Sequence, residues 1–152
     1  MENEQQEESK PLEFSEFFRN EFETEYEWRG RNVDWFLQTL VDWVNNHGLE
    51  FTVTLHTPTG MVSGTLISHQ KYFEQFGDNF GAAWRGDAPE KMRDLIAKFG
   101  APQKNNTPHQ YIHLADARCY GSDGNSIPNE GMLWRGKIVA VNAFNFGGFK
   151  RS

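Results

Sequence analysis

Leu49-Glu50-Phe51-Thr52-Val53-Thr54-Leu55-His56-Thr57-Pro58-Thr59-Gly60-Met61-Val62-Ser63-Gly64-Thr65-Leu66-Ile67 reads as a strand, a tight turn and a returning strand. Leu49, Phe51, Val53 and Leu55 alternate with Glu50, Thr52, Thr54 and His56, the pattern of a half-buried strand. Thr57-Pro58-Thr59-Gly60 suits a type I turn, with proline second and glycine fourth. Gly64 weakens the strand it sits in, so it marks a sharp bend or a close approach of two backbones. Farther along, Met132-Leu133-Trp134-Arg135-Gly136-Lys137-Ile138-Val139-Ala140-Val141 reads as a strand turned at a corner by Trp134-Arg135-Gly136. With Gly60, Gly64 and Gly136 as bends, the two stretches are expected to form the halves of a small, strongly bent five-stranded β-barrel. The fold class expected is therefore mainly β, with helices attached.

Outward from the hairpin, Asn32 to Gly48 has the pattern of a helix. Val33, Phe36, Leu37, Leu40, Val41 and Val44 recur with the spacing of one apolar face. Asn32 is placed as its N-cap, Asp34 in its first turn, and Gly48 as its left-handed C-terminal residue. Trp35 falls on the far side from Val33, which makes it a candidate contact residue. After the hairpin, Ser68 is placed to cap a helix bearing Tyr72, Phe73 and Phe76. Gly77, Gly81 and Gly86 are expected to surround a loop holding Trp84 and Arg85. Asp87-Ala88-Pro89-Glu90 has capping-box spacing ahead of a helix with Met92, Leu95, Ile96 and Phe99 on one face. A helical insertion at about residues 69–108 thus separates the second and third strands. The third strand is Tyr111 to Tyr120. Without a bulge, His113, Ala117 and Cys119 share one face and Ile112 and Leu114 the other. Residues 121–128 are expected to be a mobile turn, and Met132 to Phe146 the last strand or strand pair.

Charge divides the chain in two. Residues 1–30 hold ten of the 21 acidic groups with only Lys10, Arg19 and Arg29 as bases, while the remainder is close to neutral. Residues 1–31 are therefore read as an acidic-aromatic arm, disordered over residues 1–10, and residues 32–149 as the folded domain. Within the arm, Phe14, Phe18, Phe22 and Tyr26 repeat at helical spacing. This suits either an amphipathic helix docked on the body or a segment that engages a partner. A near-neutral body argues against general nucleic-acid binding, which depends on neutralising phosphates. No apolar run reaches membrane-spanning length, and Met1 to Lys10 is the opposite of a signal peptide. With Cys119 as its one cysteine, the chain has no internal disulfide. A cytoplasmic protein is expected.

The order of elements resembles the Sm-like fold, a five-stranded SH3-like barrel. Its late motif Ile-Arg-Gly corresponds to Trp134-Arg135-Gly136 here. Across residues 33–149 the chain resembles the gas vesicle accessory protein U family. The matching segments are His47-Gly48, Val53-Thr54-Leu55, Val62 to Ser68, Tyr72-Phe73, Tyr111 to Leu114 and Trp134 to Ile138. That resemblance implies a protein that helps gas vesicles assemble or cluster without being their shell. Its partners would be shell or other accessory proteins and further copies of itself, as a homo-oligomer. Sm-like RNA binders carry an Asp and an Asn after the second strand, where this chain has Ser68-His69-Gln70-Lys71, so no RNA-binding residue is transferred. The alternative is an Sm-like RNA-binding or general oligomeric interaction module.

No nucleotide-binding or hydrolase signature is present, and no cofactor is expected. His109, His113 and Cys119 form a loose cluster. A metal site needs three or four converging ligands, and a Cys–His nucleophile needs the two side by side. Ordinary strand residues and a structural thiol are the plainer reading, so no catalytic or metal-binding residue is expected. A hydrolase using the His113–Cys119 region is a remote alternative. The candidate partner contacts are Trp35, Trp84, Arg85, Trp134 and Arg135, with the repeated triplet Trp-Arg-Gly drawing attention to the last four.

Overall fold

The computed structural model describes residues 32–102 and 107–149. The expectations for the arm, residues 1–31, lie outside the described residues. The described elements are helix α1 (Trp35–His47), strands β1 (Phe51–Thr57) and β2 (Gly60–Ile67), and helices α2 (His69–Ala83) and α3 (Pro89–Ala97). A 3-10 turn at Lys98–Gly100 follows, then strands β3 (Tyr111–Tyr120), β4 (Ser126–Lys137) and β5 (Ala143–Phe146).

Helix α1 begins two residues later than Asn32 suggests. Asp34 is the cap, its Oδ1 accepting from the backbone N–H groups of Phe36 at 3.0 Å and Leu37 at 3.1 Å. Gly48 closes the helix at φ 66°, its N–H donating to the carbonyl of Val44. The hairpin forms as the alternation dictates, with Phe51 opposite Leu66 and Thr57 opposite Gly60.

All strand pairs are antiparallel and the order is β4-β3-β2-β1-β5. The sheet is not closed into a barrel. β5 has four residues and pairs with β1, whereas β4 pairs with β3. The space a barrel would enclose is filled by α1. Leu37, Val41 and Val44 are buried with Val53, Leu55, Val62, Leu66, Ile112, Leu114, Ala117, Ile138 and Val141. That shared core contributes most of the stability.

The expected corner at Trp134-Arg135-Gly136 is a correction. Register runs unbroken from Leu114↔Trp134 to Tyr111↔Lys137, and the chain turns after β4, through a 3-10 turn at Ile138–Ala140. The shifts lie instead between Leu114 and Ala117 and between Ala117 and Cys119. Asp116 sits in the first of them at φ 49°. This bulge reverses the side-chain alternation of β3. Ala117 and Cys119 join Ile112 and Leu114 on the α1 side, and His113 remains on the other face. Gly64 answers the bulge, since a Cβ there would lie 2.9 Å from the Ala115 carbonyl oxygen and the Ala117 Cα. It marks a close backbone approach.

The insertion also departs from the sequence reading. Helix α2 starts as expected, with Ser68 Oγ accepting from the Lys71 N–H at 3.1 Å. It then continues through Gly77 and Gly81, which had suggested a loop. Both glycines are buried against α3, and a Cβ on Gly77 would stand 2.9 Å from the Arg93 carbonyl oxygen. Helix α3 is not capped by Asp87. Ala88 takes the cap position at φ 61°, in the left-handed region, and its methyl side chain supplies no cap bond.

Candidate contact surfaces

The sheet face turned away from α1 has two halves, and α2 covers one of them. Its first turns carry His69, Tyr72 and Phe73, which meet His113 on β3. The ring centroids of Tyr72 and His113 are 4.5 Å apart, and those of His69 and His113 5.3 Å apart. Arg135 comes from β4, directly opposite His113 in the ladder. Its Nε–H donates to His113 Nε2 at 3.2 Å, and its guanidinium lies 3.6 Å from the centroid of the Tyr111 ring. An acceptor at Nε2 requires neutral His113 with its proton on Nδ1. Burial first, then the nearby His69, Arg135 and His109, push its pKa down to about 3. Burial likewise lowers His69, whose Nε2 donates to the Phe99 carbonyl, and raises Tyr72. Arg135 is therefore a positioned part of this junction.

Polar residues on α1 anchor both ends of the insertion, a role the sequence reading missed. Asn45 Oδ1 accepts from the His69 N–H at 2.8 Å, satisfying a donor at the start of α2. Gln38 Nε2 donates to the His109 carbonyl at 2.7 Å, and Asp42 lies 2.5 Å from His109 Nδ1. Gln38, Asp42 and Asn45 are spaced as one helical stripe beside the apolar one, the one signal that could have found them.

The remaining candidates are dispersed. Trp35 is half-buried with its ring 5.9 Å from that of Phe36, and it is Phe36 that is exposed. Trp134 packs against the core on the α1 side, so it and Arg135 occupy opposite faces of the sheet. Trp84 and Arg85 are exposed at the far end of α2. The two Trp-Arg-Gly triplets nevertheless share a local device. A Cβ on Gly86 would press on the Trp84 ring, and one on Gly136 would overlap the Trp134 ring. In each triplet the indole lies over the glycine two residues on. In β4 this covers a glycine that would otherwise weaken the strand.

The histidines and the cysteine do not converge. His109 is held by Asp42, His113 is under α2, and Cys119 is on the core side with its thiol pKa raised by burial. Among the described residues no group of three or more His, Cys, Asp or Glu side chains is placed to hold a metal ion.

The other half of the outer face is an open polar groove of about 730 Å³. Thr52, Ser63, Thr65, Arg118 and Tyr120 line it together with Asp116, whose carboxylate lies 3.1 Å from Arg118 Nη1. The chain after β5 borders it, the Phe149 N–H donating to Ser63 Oγ at 2.9 Å. Beyond the sheet, α2 presents Phe76, Phe80 and Trp84 along one side, with successive ring centroids 6.4 and 5.9 Å apart. Among the described residues no helix is long and apolar enough to cross a membrane.

A family model described as gas vesicle protein GvpU-like matches residues 34–149. No curated protein and no solved structure matches the chain. The match spans α1 to the end of the described chain, and this protein belongs to the GvpU-like gas vesicle protein family.

Proposed function

We propose that this protein is a non-enzymatic gas vesicle accessory factor that promotes vesicle assembly or clustering in the cytoplasm. It does so through contacts with shell or other accessory proteins and through self-association. The observation that carries this reading is membership of the GvpU-like family over residues 34–149. The surface is consistent with it. Phe76, Phe80, Trp84, Phe99 and Phe146 are exposed, and large exposed rings suit protein contacts. In this reading residues 32–149 act as the interaction domain and residues 1–31 as an acidic arm. Trp84 and Arg85 serve as contacts, while Trp35, Trp134 and Arg135 hold the domain together.

Helix-first order and strand order favour kinship with Sm-like modules in an open form. An RNA-reading role has less support. Helix α2 starts where such a reader would carry its loop, and the Arg135 side chain is engaged by His113 and Tyr111.

The test is flotation. In cells that build gas vesicles, the protein is expected in the buoyant fraction, and its deletion should reduce vesicle number or disperse vesicle clusters. A protein absent from that fraction, whose deletion changes neither property, would contradict the reading.

A further inference from the structure

The aromatic stripe of α2 is longer than the sheet it docks on. Tyr72 is 7% exposed, whereas Phe76, Phe80 and Trp84 are 40, 37 and 39% exposed. We propose that this overhanging half, centred on Phe80, is a twofold interface with α2 of a second copy of this chain, the two helices running antiparallel. This specifies the self-association in the role proposed above and rests on that part of it.

Three features select a second copy. The first is charge. At 100° per residue the overhanging face comprises Phe76, Asn79, Phe80, Ala83 and Trp84, all neutral. Lys71 and Asp78 project elsewhere and are paired with Glu50 and Arg93. Arg85 is exposed beside Trp84 at the end of this face, but the face itself offers the strongly acidic arm no counter-charge. An identical face brings none that needs one.

The second is symmetry. Phe76 and Trp84 are equally spaced about Phe80. A twofold axis at Phe80 sets each Phe80 against its counterpart and Phe76 of one copy against Trp84 of the other. Trp84 is held in place beforehand, with Nε1 donating to the Asp87 carbonyl at 3.4 Å and its ring over Gly86. Such preorganisation lowers the cost of association.

The third is area. Phe99 adjoins the stripe through Phe73, at 6.0 Å between centroids. Taking about 200 Å² per aromatic side chain, the four exposed rings offer about 350 Å² per copy. The rings of two copies together offer about 700 Å², the scale of a weak, transient interface. A weak, concentration-dependent dimer is expected.

Sedimentation equilibrium of the full chain tests this, with Phe80→Glu and, in a Cys119→Ser background, Phe80→Cys. The wild type should pass from monomer to dimer with concentration. Phe80→Glu should weaken the dimer roughly 30-fold or more. Phe80→Cys should cross-link to its counterpart on oxidation. A wild type that stays monomeric throughout overturns the interface, including the case in which the arm covers the face within one chain. A dimer that survives Phe80→Glu and leaves Phe80→Cys uncross-linked also overturns it. Either result leaves the gas vesicle role to the flotation test.

Discussion

The two halves of the α2 stripe are alike in sequence and opposite in circumstance. Tyr72 and Phe76 are four residues apart, aromatic and on the same side of the helix. Tyr72 is buried over His113, while Phe76 begins a solvent-facing ladder. The difference is that β3 and β4 run out beneath the helix, so docking ends while the apolar pattern continues. Aromatic periodicity reports that a face will be covered, and only the neighbouring elements decide whether the same chain covers it.

Substitutions that separate the halves should differ several-fold in effect. Tyr72→Ala opens a cavity between helix and sheet and should cost about 3 kcal/mol or more in urea unfolding. Next is the pH response of the docked half. His113 has its folded pKa depressed, so below about 6.5 the unfolded chain binds the extra proton. Its contribution to stability is complete above that pH and is lost as pH falls towards about 3. Between pH 7 and pH 5 the wild type should lose about 2 kcal/mol more than His113→Gln, because the carboxylates common to both cancel in the difference. Gly77→Ala should follow, at about 1–2 kcal/mol, by pushing α3 away through the Arg93 carbonyl. Least affected should be Phe80→Ala, at under about 1 kcal/mol for the dilute monomer, since that ring already faces water.

What could be read from the sequence follows the same physics. The hairpin and α1 were legible because strict alternation and an i, i+3, i+4 stripe have few competing explanations. The faces of β3 were not, because one extra residue at Asp116 reverses every side chain after it and leaves no compositional mark. Gly77 and Gly81 read as loop punctuation, yet they permit a close helix–helix contact, a demand set by a partner helix. Gly136 suggested a corner for the same reason, although its missing side chain makes room for Trp134. Among the contact candidates, Trp84 and Arg85 were legible as surface residues in the middle of the insertion. The engagement of Arg135 with His113 and Tyr111 depends on the register of two distant strands, which composition does not disclose.

The division of α2 into a docked half and an associating half is most directly tested by urea unfolding of the full chain over a wide range of protein concentration, wild type beside Phe80→Glu. The account predicts a wild-type midpoint that rises with concentration. It also predicts a Phe80→Glu midpoint that is constant and equal to the dilute wild-type value. A wild-type midpoint independent of concentration, or a Phe80→Glu midpoint lowered at every concentration, would contradict it.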